Sequence, residues 1–216
     1  MRPPATPSPV RPDMTAGRPP GAATESAEPA GPAPFRRAVA TLQAILSGEP
    51  IRPELQLAEM PAPQRLAPYA AALEGSVVRD GDEVAGGRLI VLYDPDGRDG
   101  WTSGFRVVAY IQADLEPEIA SDELIGSVAW SWLTEALEAA GYADASGTIT
   151  RAVSESFGAK RDDPSTTELE IRASWSPTGD DLTGHVTAWC EVMCTAAGLP
   201  PAGVSALPDR SGGARP

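Results

Sequence analysis

Alternating apolar and polar residues predict most of the strands in this chain. In residues 105–115, Phe105, Val107, Ala109 and Ile111 alternate with Arg106, Tyr110, Gln112 and Asp114, which is the pattern of an antiparallel strand with one buried face. Strand character also marks five other segments, which are 54–60, 69–78, 84–93, 145–156 and 166–174. Asp80-Gly81 lies between two of these segments and predicts a tight hairpin turn.

The segment 84–93 differs from the other strands because its second half is apolar on both faces. The run at 89–93 reads Leu-Ile-Val-Leu-Tyr. We therefore expect a central strand that is covered on both sides. The pair Gly86-Gly87 comes just before this run and predicts a β-bulge, because glycine inside a strand often marks one.

Helical periods appear in three other segments. The first helix begins near Phe35 and carries a narrow apolar arc up to residue 46. The second is expected to begin after Ser121, whose hydroxyl can cap it, and to end at Gly141. The third covers residues 182–197 and is ended by the glycine and prolines that follow.

The second helix carries two apolar stripes. Trp132 lies near the centre of the wider stripe, so we expect it to face the core. Trp130 points almost the opposite way and aligns with Leu133 and Leu137 at i+3 and i+7. This second stripe packs under another element or meets a partner, so Trp130 and Leu137 are candidate partner contacts. We expect Trp130 to be partly buried, with an exposed edge.

The element order α-β-β-β-β-α-β-β-α has no strict alternation of strands and helices. It predicts an α+β fold in which the helices pack on one face of an antiparallel sheet. This order is similar to the secretion-chaperone-like topology, although one strand is extra here. By that analogy, small, acidic and often dimeric proteins bind extended segments of their partners.

Several stretches of the chain share the sequence of a known family. They are PAPQRLAPY at 61–69, GRLIVLYDPDG at 87–97, WSWL at 130–133, RASWSP at 172–177, AWC at 188–190 and GLPP at 198–201. Together they resemble the actinobacterial Domain of Unknown Function 3000 family. The resemblance implies a cytoplasmic actinobacterial protein, and it carries over no functional residue.

Composition separates a folded part from two tails. Residues 1–34 are rich in Pro, Ala, Gly, Ser and Thr and contain almost no Leu, Ile or aromatic residues. Such a segment cannot bury enough apolar area to offset the entropy of ordering, so we expect a disordered tail. The same reasoning predicts a flexible tail at 200–216. A single α+β domain is therefore expected at 35–199.

Charge and hydropathy exclude several classes of partner. The net charge of −13 argues against nucleic acid, whose phosphates must be neutralised by clustered Lys and Arg. No apolar run is long enough to span a membrane, and no apolar signal segment follows the initial Met. We therefore expect a cytoplasmic protein that binds neither nucleic acid nor membranes.

Residues that usually carry catalysis or bind metals are scarce. His185 is the only histidine, and helical angles place it on one flank of the last helix with Cys190 and Cys194 on the other. These three cannot share a metal, and the cysteines are expected to be half-buried packing residues. The segment 94–101 lacks the ligand spacing of a calcium loop. We therefore expect no catalytic residue, no cofactor and no metal.

Two hypotheses about function remain. The first is a non-enzymatic, adaptor- or chaperone-like module that binds a protein or a peptide, including a second copy of itself. The alternative is an enzyme or a small-anion-binding protein whose pocket lies near Gln64 and Arg65, in the proline-rich loop after the first strand. A pocket of about 300 Å³ lined by Arg65 would favour the alternative.

Overall fold

A six-stranded antiparallel sheet with helices on one face forms the protein. The structure is a computed structural model that describes residues 30–201, apart from the side chains of residues 117 and 118. The strands follow the order β1-β2-β3-β4-β6-β5 across the sheet. This confirms the predicted α+β class. The elements are α1 (Ala33–Ser47), β1 (Leu55–Met60), β2 (Tyr69–Arg79), β3 (Asp82–Tyr93), β4 (Phe105–Leu115), α2 (Pro117–Ala120), α3 (Ile125–Glu138), β5 (Tyr142–Ser154), β6 (Thr166–Pro177) and α4 (Thr183–Ala196), with a 3-10 turn at Gly158–Lys160.

The β2–β3 turn has the predicted geometry. Asp80 and Gly81 both have positive φ angles, of 55° and 95°, as a type I′ hairpin requires. The bulge, however, lies elsewhere than predicted. Gly86 and Gly87 pair regularly with β2, and the register shifts instead between Val77 and Val78.

Gly87 serves helix packing rather than a bulge. It pairs with Gly75, and a Cβ atom on either glycine would lie within 3.1 Å of Trp189 or Met193 of α4. The paired glycines thus create the space into which these two side chains pack. Because paired residues project from the same face of the sheet, both glycines open space on the face that α4 covers.

The helix α4 lies at the centre of the helical layer. It contacts β2, β3 and β4 as well as α1 and α3. Its buried residues point in nearly every direction and include His185, Cys190 and Cys194. The cysteines are therefore fully buried, and the prediction of half-burial was wrong because neighbouring helices cover both flanks of α4.

The long helix begins later than predicted. Residues 117–120 form the separate short helix α2, so α3 starts at Ile125 instead of directly after Ser121. Its fully buried stripe is Ile125, Ala129, Leu133 and Leu137. Trp132 is only half-buried, so the predicted centre of the apolar arc was wrong.

The described structure includes contacts of residues just outside the predicted domain bounds of 35–199. Helix α1 begins at Ala33, and the Arg36 guanidinium donates a hydrogen bond to the Gly31 carbonyl. At the other end, Arg52 donates to the Pro200 carbonyl over 2.7 Å. The predictions for 1–29 and 202–216 lie outside the described residues. Within residues 30–201, no helix is both long and apolar enough to cross a membrane.

Candidate functional site

The sheet face opposite the helices, called the open face below, carries an apolar row across four strands. Met60, Ala72, Ile90 and Val108 follow one another as cross-strand neighbours from β1 to β4. Ala72 is buried, and the other three are half-buried. The apolar row therefore brings aliphatic surface within reach of a partner, on the side that the helices leave uncovered.

A polar row runs beside the apolar row, one step of two residues along each strand. Glu74, Arg88, Tyr110 and Arg172 are its members, on β2, β3, β4 and β6. Its β4–β6 half is internally connected. Arg172 donates to Glu170 over 3.0 Å, and its guanidinium lies 5.7 Å from the centre of the Tyr110 ring.

The Tyr110 hydroxyl completes this connected half. It donates to Glu170 Oε2 over 3.0 Å, and burial together with this neighbouring carboxylate raises the pKa of Tyr110. Beside it, the Gln112 side chain donates to Glu168. The phenol thus stays protonated at neutral pH and acts as a hydrogen-bond donor rather than as a base.

The other half of the polar row, on β2 and β3, has no such internal contacts among the described residues. Arg88 and Glu74 are exposed and face each other across β2 and β3. Within residues 30–201 neither side chain takes part in a hydrogen bond or an ion pair. Their charges are therefore available to a partner, and charge-assisted hydrogen bonds to such groups are among the stronger polar contacts.

The polar row and the Ile90–Val108 half of the apolar row line a groove of about 900 Å³. Its lining includes Ala58, Glu74, Arg88, Ile90, Val108 and Arg172. The groove is open to solvent rather than enclosed. It combines aliphatic surface from Ile90 and Val108 with the charges of both signs on Arg88 and Glu74.

The sequence-predicted loop residues lie away from this groove. Gln64 and Arg65 are exposed, and Arg65 has a positive φ of 75°. Neither residue lines the open-face groove or the two smaller cavities described beside the sheet. These three cavities thus give no support to a small-anion pocket at this loop, and the pocket stays a prediction.

The same loop is tied to the β3–β4 connection. Arg98 donates to the Leu66 carbonyl and to Asp94 Oδ2, the latter over 2.8 Å. This hydrogen bond from Arg98 lowers the pKa of Asp94. The Asp94 segment thus stabilises two loops against each other, and its carboxylate is engaged by an arginine.

Trp130 and Leu137, the two predicted partner contacts on the long helix, have different environments. Trp130 is half-buried, as the two-stripe pattern predicted, and a Cβ atom on Gly147 of β5 would lie 2.8 Å from its ring. Leu137 has an exposed fraction of 0%, so its side chain has no surface to offer a partner. The structure therefore separates the two residues that the pattern grouped.

Removal of the Trp130 ring is expected to lower the free energy of unfolding by about 2 kcal/mol, because full removal of a buried Trp costs about 3–5 kcal/mol and this ring is only half-buried. Urea denaturation of Trp130→Ala measures the loss. Trp130→Leu keeps part of the contact with Gly147 and is expected to lose less than half as much. An unchanged midpoint in Trp130→Ala would contradict this packing role.

The titratable side chains of α4, His185, Cys190 and Cys194, are buried and pack in the core. The Trp175 indole donates to His185 Nδ1 over 3.2 Å, and burial holds the pKa of His185 at about 4. Burial also raises the pKa of the Cys190 and Cys194 thiols. Among the described residues, no three His, Cys, Asp or Glu side chains are grouped so that they could hold a metal ion.

Sequence reasoning did not find the open-face groove. The signal was present at Ile90, which is apolar on the polar side of its strand and was expected to be covered. Val108 repeats that signal on β4, where it interrupts the polar positions between Arg106 and Tyr110. β3 is central as predicted, but Ile90 is half-buried rather than covered.

The fold and the groove define an α+β protein with an antiparallel sheet that is open on one face. A family model described as "Protein of unknown function (DUF3000)" matches residues 31–205. The chain therefore belongs to this family, which confirms the resemblance found in its sequence. No curated protein and no solved structure matches it.

Proposed function

We propose that this protein is a non-enzymatic binding module that holds a polypeptide segment of a cytoplasmic partner in the open-face groove. The observation that carries the proposal is the half-buried pair Ile90 and Val108 beside the unpaired Arg88 and Glu74 in one groove. Aliphatic side chains of the segment contact Ile90 and Val108. Charged side chains of the segment pair with Arg88 and Glu74.

The openness of the groove favours a polypeptide over a small molecule. Ligand pockets bury about 70–90% of a small ligand's surface, which a groove open to solvent cannot do. A polypeptide instead obtains its affinity from a few buried anchors surrounded by polar contacts. The apolar row and the polar row supply these two kinds of contact.

A peptide library displayed on phage and selected against the full chain tests this proposal. Enriched peptides are expected to contain aliphatic residues with charges of both signs nearby. In titrations of synthetic copies, Ile90→Asp is expected to weaken binding at least about 10-fold, because it places a charge where an aliphatic anchor packs. Arg88→Glu, at an exposed and unpaired position, is expected to weaken it without altering the melting temperature.

Two matched variants serve as controls. Leu66→Asp places the same charge on an exposed aliphatic residue outside the groove. Arg161→Glu reverses the charge of an exposed arginine that does not line the groove. Both are expected to bind the peptides as the unaltered protein does. The proposal fails if no peptide is enriched, or if Ile90→Asp binds as well as Leu66→Asp.

A further inference from the structure

The edge strand β5 exposes a long and nearly uncharged edge. It has 13 residues, and its register against β6 is continuous from Ser146 to Ser154. Within that stretch the only charged side chain is Arg151, whose guanidinium donates to the carbonyls of Ala120 and Asp122. The N–H and C=O groups on the outer side of such a strand form a template for another strand.

The opposite edge of the sheet is protected. β1 has only 6 residues, and prolines stand at positions 53, 61 and 63 around it. Glu54 and Glu59 add negative charge to this edge. Short length, proline and charge are the means by which proteins prevent edge pairing. β5 is long, and between 146 and 154 it has no proline and a single charge, Arg151, which the carbonyls of Ala120 and Asp122 engage.

Three of the four large exposed hydrophobic side chains among the described residues lie on β5, just beyond it, or next to a segment that β5 contacts. Val153 is 59% exposed, and Phe157, just beyond the strand, is 78% exposed. Leu124, which is 65% exposed, follows the segment whose carbonyls Arg151 contacts. The fourth large exposed hydrophobic among the described residues is Leu66, in the β1–β2 loop.

We propose that β5 pairs with β5 of a second copy of this chain, antiparallel and about a two-fold axis at Thr150. The continuously paired stretch 146–154 is centred on Thr150, so this register uses all of it. Thr150 then faces its own copy, Arg151 lies opposite Ile149, and Val153 lies opposite Gly147. No two like charges face each other, which the register centred on Arg151 would require.

The two-fold register also brings an exposed apolar side chain beside Trp130. Gly147 has no side chain, and the half-buried Trp130 ring packs directly beside it. In the paired strands, Val153 of one copy adds its exposed methyl groups next to that ring. Self-complementarity of this kind is what a two-fold interface requires of one surface, and it favours a second copy over an unrelated peptide.

Pairing of this kind joins both sheets into one, with the two open faces on the same side. The dimer therefore displays two grooves next to each other. A partner with two binding segments would gain avidity from this arrangement. The dimer itself does not depend on the groove being a binding site, so the two proposals can fail separately.

Disulfide trapping tests the register. The full-length Thr150→Cys variant is expected to form an intermolecular disulfide under mild oxidation, because residues directly opposite in antiparallel strands have Cβ atoms about 4.5–5.5 Å apart, and a local shift of about 1 Å at the strand edge brings them to the spacing of a disulfide. The native cysteines are buried and do not interfere. Gln56→Cys, at an exposed position of the other edge strand, is expected to stay monomeric in non-reducing gels. Equal cross-linking of both variants would overturn the proposal.

Sedimentation equilibrium on the full chain tests the association itself. The unaltered protein is expected to have twice the chain mass at micromolar concentration. Thr150→Lys places two like charges opposite each other at the axis, and it is expected to raise the dimer dissociation constant at least about 10-fold. Gln56→Lys is the matched control and should remain dimeric. A monomeric unaltered protein, or a dimer that Thr150→Lys leaves intact, would refute the pairing.

Discussion

Lowering the pH from 7 to 4 is expected to cost the folded protein about 3 kcal/mol through the titration of His185. Burial holds the pKa of this imidazole at about 4 in the folded state, against about 6.5 when it is exposed. The unfolded chain therefore binds more protons between these two values. Stability is fully present above pH 6.5 and is lost as the pH falls towards 4.

The local structure explains the low pKa of His185. The residue is 1% exposed, and its Nδ1 atom accepts the hydrogen bond from Trp175. A proton on Nδ1 would abolish that acceptor and bury a charge. The neighbouring Asp181 carboxylate opposes the shift but does not cancel it.

Urea denaturation at several pH values measures this dependence. His185 is the only histidine, and Asp94 and Asp181, whose pKa values are lowered from 3.8, lose their contributions mainly below pH 4. The control His185→Asn keeps a hydrogen-bond acceptor and removes the titration, so its slope between pH 7 and 4 is expected to fall by more than half. A slope that this substitution leaves unchanged would exclude His185 as the cause.

Gly87→Ala is expected to lower the free energy of unfolding by about 3 kcal/mol, at the upper end of the usual cost of overpacking. The added Cβ would lie 2.6 Å from the Tyr110 carbonyl oxygen and 2.8 Å from the Met193 sulfur. The carbonyl belongs to the neighbouring central strand, and Met193 is fully buried. Neither atom can move away without disturbing the contact between α4 and the sheet.

The adjacent glycine provides the matched control for this substitution. In Gly86→Ala the added Cβ would lie on the open face, 3.0 Å from the end of the flexible Glu83 side chain. That carboxylate can rotate away, so the expected loss is below about 1 kcal/mol. Chemical denaturation of both variants measures the difference. A loss below about 1 kcal/mol in both variants would show that the space between Gly87, Trp189 and Met193 accepts a methyl group.

The candidate binding surface could be predicted only in fragments. Ile90 and Val108 were visible as apolar residues on otherwise polar strand faces, but the sequence did not place them side by side. The apolar row joins positions 60, 72, 90 and 108 through three registers. The Asp80-Gly81 turn specified the pairing of β2 and β3 next to the hairpin, but the shift between Val77 and Val78 moves the register by one residue before Ala72 meets Ile90, so the turn alone did not determine the row.

The sequence by itself determined the features that depend on neighbours along the chain. The alternation in β4 and β6, the hairpin at Asp80-Gly81 and the three main helices all follow from periods of two or 3.6 residues and from local turn chemistry. Packing between distant segments decided the rest. It placed β6 rather than β5 beside β4 and covered both flanks of α4. It buried Leu137 instead of Trp132, and it left one sheet face open. These outcomes depend on which surfaces meet in space, and local periodicity carries no information about that choice.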